Sequence, residues 1–426
     1  MKRKFGNLLL WFSLAITLSL FVLAKFSGGG SFSFGWLTLS QLLSLLGTTL
    51  LAFSFLLSSR FSFLEDWFGG LDKVYRLHHI TGGLSFVLLL HHPLFLLIDV
   101  LPDIGFGWKY LWFSNLLPYD WGVASLYFML LMILLTLFIR LPYSVWKKTH
   151  ELMGIALIFA VLHILTISSD VSRYMPLRYW IIFLLIVSIA SAFYRRFLYR
   201  ILGPKFLFTI KTLERRGDVL VVGLQSSGRQ MNPWPGQFIF IRFDGMGNET
   251  HPFSIASIGL DGSIRIGIKI LGDHTLQMVN LKVGDKATSW GPYGKFWESY
   301  MSKKDLIMIA GGIGITPFIS MVEKESQSAS SRKIDLIYCV KTEDEAVFDL
   351  DLKALSVNID RINYSLYTSE KLGHIDAEKI IGIVGPVENK KIMICGPDIM
   401  MNSLAEQFLS LGVKNKDIIF EDFNFK

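Results

Sequence analysis

The sequence predicts a membrane all-α bundle of six helices, followed by an antiparallel β-barrel and an open-sheet α/β domain. Three observations carry that reading. Residues 1–203 hold six long apolar segments, the chain beyond Pro204 changes to short alternating runs, and from 303 apolar strands alternate with helix-compatible stretches. The expected domains are therefore 1–203, 204–302 and 303–426. Hydrophobic residues make up 51% of the 426-residue chain and Phe alone counts 34, too apolar for one ordinary soluble protein.

The apolar segments lie at 7–26, 36–58, 74–98, 121–139, 150–169 and 178–197. Each can cross a bilayer core of about 30 Å at a rise of about 1.5 Å per residue. The first begins MKRKFGNLLLW like a signal peptide but offers no clear small-residue cleavage site, so a retained helix is expected. Lys2, Arg3 and Lys4 precede it, and Arg60, Lys73 and Arg76 separate the second and third segments. Arg140, Lys147 and Lys148 separate the fourth and fifth, and Arg195, Arg196, Arg200 and Lys205 follow the sixth. The remaining connections are poorer in basic residues, which places both termini and the soluble domains on the cytoplasmic side of the membrane. The connection at 99–120, mixing Pro, Gly and Trp, is expected along the outer interface.

Charge follows the same division. Residues 1–205 carry 17 Lys and Arg against 8 Asp and Glu, whereas 206–426 carry 25 against 27, so the formal net charge of +7 belongs to the membrane half. That is the pattern of juxtamembrane arms and not of a nucleic-acid surface. Two cysteines, Cys339 and Cys395, are too few for a cysteine-ligated iron–sulfur cluster or a disulfide framework.

Six of the nine histidines fall in the third and fifth segments: His78, His79, His91, His92, His150 and His163. His92 lies 14 residues beyond His78, and His163 lies 13 beyond His150. Both steps advance roughly 20 Å along a helix. Two helices thus offer two levels, with one histidine from each helix at each level. Membrane imidazoles serve as interhelical hydrogen-bond partners or as axial ligands, and two levels suit two bis-histidine haems. A single tetrahedral zinc cannot span them. Thirteen residues leave two side chains about 140° apart on an ideal helix, so the fifth span must twist, bulge or present its ligands from different sides.

The runs FLFTIKTL, DVLVVGLQ, GQFIFIRF and GSIRIGIKIL read as strands of the barrel. In the last domain, Ile307–Ala310 feeds Gly311, Gly312, Ile313, Gly314, Ile315, Thr316 and Pro317, a strand running through a glycine turn into a helix. Such a turn lets backbone approach a pyrophosphate at the helix N-terminus, although ordinary strand-end turns also use glycine. Cys395, Gly396 and Pro397 end a second strand that would reach the same crevice. In the barrel, His251, Pro252, Phe253 and Ser254 set an aromatic ring beside polar donors, and Gly272, Asp273, His274 and Thr275 offer donors to a phosphate.

Together these residues resemble the ferric reductase and NADPH oxidase superfamily, especially its compact bacterial NADPH oxidases, over nearly the whole chain. The resemblance implies a di-haem membrane domain, an FAD-binding barrel and a nicotinamide domain of the ferredoxin–NADP reductase type. It implies His78 with His150 as ligands of an inner b-type haem and His92 with His163 as ligands of an outer one. Gly82 and Pro93 favour those members of each pair over His79 and His91. HPFS resembles the flavin motif, with His251 where soluble reductases usually have Arg, Phe253 flanking the isoalloxazine and Ser254 bonding near its N5. GDHT resembles the segment that holds the FAD pyrophosphate. AGGIGITPF and CGP resemble the paired nicotinamide-domain motifs, with Thr316 seating the nicotinamide. The resemblance also implies an aromatic shield over the flavin, here Phe423, with Phe425 beside it in FEDFNFK. Lys341 follows the strand IYCV where an Arg often meets the 2′-phosphate of NADPH; a lysine supplies charge without the bidentate fork, which leaves NADH possible.

The expected activity is electron transfer from cytoplasmic NADPH through FAD and two b-type haems to extracytoplasmic oxygen, producing superoxide across a bacterial plasma membrane. Phe86 lies between the two haem levels, and Arg173 or Arg178 on an outer loop would face the haem propionates. A ferric chelate is the alternative acceptor, and a membrane cytochrome subunit serving a partner protein is the alternative of another class. No obligatory cytosolic activator is expected.

Overall fold

The computed structural model describes residues 5–27, 34–139, 141–247, 249–357 and 359–421. The chain divides into two compact units, the second beginning its main run at Leu202.

Among the described residues, six helices are long and apolar enough to cross a membrane: Phe5–Ser27, Trp36–Ser58, Leu71–Asp99, Leu117–Leu137, Val145–Thr166 and Met175–Leu202. Large apolar side chains such as Trp11, Phe12, Phe183 and Ile186 are exposed on their outer faces, as lipid-facing surfaces require. Small polar residues tie the helices inside. The Trp180 indole donates to the Thr17 hydroxyl at 2.8 Å, and the Thr17 and Thr49 hydroxyls meet at 2.9 Å, joining spans six, one and two. Span three is held to span two by the Ser85 hydroxyl, which donates to the Gly47 carbonyl at 2.9 Å. Span five is not one continuous helix. Tyr143–Glu151 and Met153–Thr166 are separate helices broken at Leu152, between the two histidines whose spacing misfits an ideal helix. Span six widens into a five-residue π-helical segment at Tyr194–Leu198.

The second unit begins with a closed barrel. Its strands are β1 (Lys205–Arg216), β2 (Val219–Ser226), β3 (Phe238–Phe243), β4 (His251–Ile258), β5 (Ile264–Lys269) and β6 (Lys286–Tyr293). They pair antiparallel in the order β1-β2-β5-β4-β3-β6. Alternation sends Phe208, Ile210, Val222, Leu224, Ile239 and Ile266 into one core.

Five parallel strands follow: β7 (Leu306–Gly311), β8 (Ile334–Val340), β9 (Ile362–Thr368), β10 (Lys391–Cys395) and β11 (Ile418–Phe420). Their order is β11-β10-β7-β8-β9. LIMIAG and IDLIYCV are buried along their whole length, because helices cover both faces of a parallel sheet. From β7 the chain builds outward through β8 and β9, then returns to the other side of β7 with β10. The switch point therefore lies between β7 and β10, and the crevice at their carboxyl ends is where such sheets bind ligands. Barrel and sheet pack through the helix Thr316–Ser326. The Gly236 N–H donates to the Ser320 hydroxyl at 2.9 Å, and Arg265 pairs with Glu323 at 3.0 Å.

Candidate functional site

In the membrane unit the third and fifth spans meet ring to ring at two levels. The His78 and His150 ring centres are 6.1 Å apart, and those of His92 and His163 are 6.5 Å apart. Two imidazoles gripping one ion from opposite sides would have centres about 6 Å apart, given metal–nitrogen bonds of about 2 Å. Second contacts orient three of the four rings. The His78 Nδ1–H donates to the Ser54 carbonyl at 2.8 Å, the His92 Nδ1–H to the Ser40 carbonyl at 3.1 Å, and the His163 Nδ1–H to the Pro118 carbonyl at 2.7 Å. A carbonyl only accepts, so each of these rings carries its proton on Nδ1 and presents an Nε2 lone pair. His150 Nδ1 is buried with no hydrogen-bond partner among the described residues, while Trp146 stacks on its ring at 5.5 Å. His79 is exposed, and His91 turns back to donate to the Val87 carbonyl of its own helix at 2.7 Å.

A cavity of about 270 Å³ adjoins His92 and His163. Gly122, in its lining, leaves room for the His163 ring, since a Cβ there would lie 2.9 Å from His163 Nδ1. Among the described residues lining it, the lysine is Lys109, whose ammonium sits 3.5 Å from the Phe106 ring centre and 4.8 Å from that of Tyr119. Arg173 instead pairs with Asp170 at 3.3 Å, and neither it nor Arg178 is among the described lining residues. An orphaned buried imidazole nitrogen, an all-imidazole donor set at matched spacing and a cavity against one pair together fit haem. Ser40 and Ser54 were missed from sequence, although they repeat in span two the 14-residue step of His78 and His92.

In the barrel, β4 opens with the HPFS residues. Pro252 pairs with Phe240 and Ser254 with Phe238 across β3; Ser254 is buried, and Phe253 packs against the barrel core. Gly272, at φ +89°, begins the short helix Asp273–Gln277. Thr275 stabilises that turn, its hydroxyl accepting from the Leu271 N–H at 2.7 Å and donating to the Gly272 carbonyl at 3.2 Å. The fold stacks His274 on His251, with ring centres 3.7 Å apart and planes 23° apart. Glu249 adds a carboxylate oxygen 3.6 Å from His251 Nε2. Burial holds the His274 imidazole below its ordinary pKa, so it is neutral at pH 7.

At the switch point the glycines have distinct reasons. A Cβ on Gly314 would strike the Cys395 carbonyl, and one on Gly396 would lie 2.9 Å from the Gly311 Cα, so the two strand-end motifs touch backbone to backbone. Gly312 differs, having φ +55° and open space where a Cβ would be. Its face and the N-terminus of Thr316–Ser326, with Pro317 in the first turn, border the crevice. Thr316 is buried; its hydroxyl donates to the Ile313 carbonyl at 3.0 Å, and its methyl faces Gly267 of β5. Ile315 is wholly buried, and Cys395 is buried and in no disulfide. Cys339 is likewise in no disulfide, and burial pushes its thiol up to about 12, so it stays protonated and inert at pH 7. Lys341 is exposed at the end of β8, its backbone N–H donating to the Glu345 carboxylate at 3.3 Å. Phe423 and Phe425 lie outside the described residues.

Comparison with known proteins finds three family matches in succession along the chain. The family described as ferric reductase like transmembrane component matches residues 43–161, an FAD-binding domain matches 205–305, and an oxidoreductase NAD-binding domain matches 308–406. Flavohemoprotein A of Dictyostelium discoideum is 25% identical over 209 residues, covering 44% of this chain and 52% of that protein. The toluate 1,2-dioxygenase electron transfer component of Pseudomonas putida is 27% identical over 203 residues, covering 44% of this chain and 58% of its own length. The chain thus spans little more than half the length of these curated relatives. Flavohemoglobin from Malassezia yamatoensis aligns with a TM-score of 0.53 at 16% identity, covering 97% of this chain and 98% of that one, a likeness of fold. The chain therefore carries a ferric-reductase-like transmembrane component joined to FAD-binding and oxidoreductase NAD-binding domains.

Proposed function

We propose that the chain moves electrons across a bacterial plasma membrane, from NADPH on the cytoplasmic side to molecular oxygen outside, which leaves as superoxide. FAD and two b-type haems would supply the redox chemistry, two-electron uptake from the nicotinamide and one-electron delivery beyond it. The observation that carries this reading is the pair of facing imidazoles at each of two levels, on a chain that also builds a nicotinamide crevice.

In this reading His78 and His150 hold the inner haem and His92 and His163 the outer one. The Ser54, Ser40 and Pro118 carbonyls fix the proton of three of those rings on Nδ1. Gly312 and the helix behind it receive the nucleotide pyrophosphate, and Gly314, Cys395 and Gly396 hold the crevice walls together. His251, Pro252, Phe253, Ser254, Gly272, His274 and Thr275 form the flavin side, with Phe423 as its aromatic shield. Lys341 faces the 2′-phosphate of NADPH. The basic residues Arg60, Lys73, Arg76, Arg195 and Arg196 mark the cytoplasmic ends of the spans. Lys109 beside the outer pair would meet a haem propionate, a role its place in the cavity lining supports better than Arg173 or Arg178. A ferric chelate as acceptor is the second reading, favoured by the ferric-reductase-like match.

The test uses purified full-length protein reconstituted with haem. Anaerobic NADPH with FAD should give the reduced-haem spectrum, and admission of air should give superoxide-dismutase-sensitive reduction of cytochrome c. Haem that stays oxidised while bound FAD is reduced would sink the transmembrane path. Ferric-chelate reduction under argon without superoxide in air would move the acceptor to iron.

A further inference from the structure

The cluster at the mouth of β4 contains a residue that a flavin cradle does not need. A pyrophosphate carries negative charge and is best met by cations or N–H donors, yet Glu249 sets a carboxylate beside the two stacked imidazoles. The carboxylate brings negative charge beside the ring nitrogens, which attracts a cation. One ligand atom from each of Glu249, His251 and His274 lies within 4.8 Å of the others.

We propose that Glu249, His251 and His274 form a binding site for a divalent metal ion of the zinc class, and that an ion held there excludes flavin. The competition half rests on the reading of this region as the flavin cradle; the metal half does not. Two imidazole nitrogens with one carboxylate oxygen form a ligand set that zinc takes in three-ligand protein sites, leaving a fourth position for water. Calcium and magnesium prefer all-oxygen sets, so the trio selects against them. Ligands of one tetrahedral ion stand about 3.3 Å apart when each bond is about 2 Å. Closing the trio therefore takes ligand-atom shifts of about an ångström. The His251 and Glu249 side chains keep 19% and 29% of their surface exposed, which gives an ion a way in. The rings stack on each other at 3.7 Å, and both belong to the residues read as the flavin side, so an ion and a flavin would compete for the same two imidazoles.

The experiment compares full-length, haem-loaded wild-type protein with Glu249→Gln, an isosteric change that removes only the charge. Zinc bound per chain is measured by equilibrium dialysis, and FAD affinity by quenching of flavin fluorescence with and without zinc. Wild type should bind one more zinc ion per chain than Glu249→Gln. Zinc at ten times its dissociation constant should weaken wild-type FAD binding about elevenfold, the simple competition result, and leave the variant unmoved. His274→Gln should also lose the ion, and matching thermal unfolding of both variants excludes a folding defect. Equal zinc stoichiometry in wild type and both variants would overturn the site. Zinc bound with FAD affinity unchanged would overturn the competition. Absence of FAD binding in all three proteins without zinc would overturn the flavin reading, while the stoichiometry still decides the metal site.

Discussion

Four consecutive facts about single residues separate the neighbouring histidines of span three. His78 faces His150 at 6.1 Å and is anchored through Nδ1 to the Ser54 carbonyl, whereas His79 is exposed. His92 faces His163 at 6.5 Å, whereas His91 bonds back to its own helix. An imidazole whose Nδ1–H is fixed by a carbonyl is oriented before any ligand arrives, and such second contacts typically change metal affinity ten- to a hundredfold. His78→Ala should therefore leave the purified protein with one haem per chain in place of two, read by the pyridine haemochrome assay. His79→Ala should retain two. The reverse outcome would show that the register of the pairs is wrong by one residue. Ser54→Ala tests the anchor more gently, because the carbonyl survives: haem content should stay at two.

At the scale of elements, two glycines three positions from Gly311 or nearer look interchangeable in AGGIGITPF and are not. Gly314 is pressed against the Cys395 carbonyl, so a methyl there must part β7 from β10, the strands that border the crevice. Gly312 has room for a methyl but sits at φ +55°, where a side chain costs roughly 1–2 kcal/mol of backbone strain. Gly314→Ala should abolish NADPH-driven flavin reduction and lower the unfolding temperature of the second unit. Gly312→Ala should raise KM for NADPH several-fold with a much smaller thermal effect. Equal thermal losses would mean that the close approach at Gly314 is not what requires glycine. The glycine turn, the spans and both sheets were legible from the sequence because their signals are local: long apolar runs, alternation of period two, glycines between a strand and a helix. The break at Leu152 was legible only as one of several ways to accommodate the spacing, since thirteen residues cannot return to one face of a straight helix. The His251–His274 stack was not legible, because the two residues lie on different elements and only the antiparallel pairing of β4 with β5 sets the start of one beside the end of the other.

The arrangement of the whole second unit depends on a buried charge cluster that no motif announces. Glu325, near the end of the helix Thr316–Ser326, has a side chain that is only 2% exposed. Arg332 pairs with it directly, Arg361 reaches it at 2.9 Å, and the Tyr300 hydroxyl donates to it at 3.0 Å. Tyr300 ends the helix that leaves the barrel, Arg332 precedes β8, and Arg361 precedes β9, so one carboxylate ties the barrel exit to the edge of the parallel sheet. Those partners lie 25 residues upstream and 7 and 36 downstream, too scattered for any local pattern to reveal. Burial alone would raise the carboxyl pKa, but the arginine bonds outweigh it and hold Glu325 below the ordinary carboxylate value. The sign follows from linkage: with the folded pKa below the unfolded one, the contribution is complete above about pH 4.5 and disappears as pH falls through the lowered folded value. Glu325→Gln leaves two arginines without their charge partner and should cost roughly 3–5 kcal/mol at pH 7. Its penalty should shrink below pH 4, where the wild-type carboxylate also takes up a proton. Thermal unfolding of wild type and variant between pH 3.5 and 8 measures this directly. A penalty that stays constant across that range would show that Glu325 contributes by shape and hydrogen bonding alone, and that its charge does not hold barrel and sheet together.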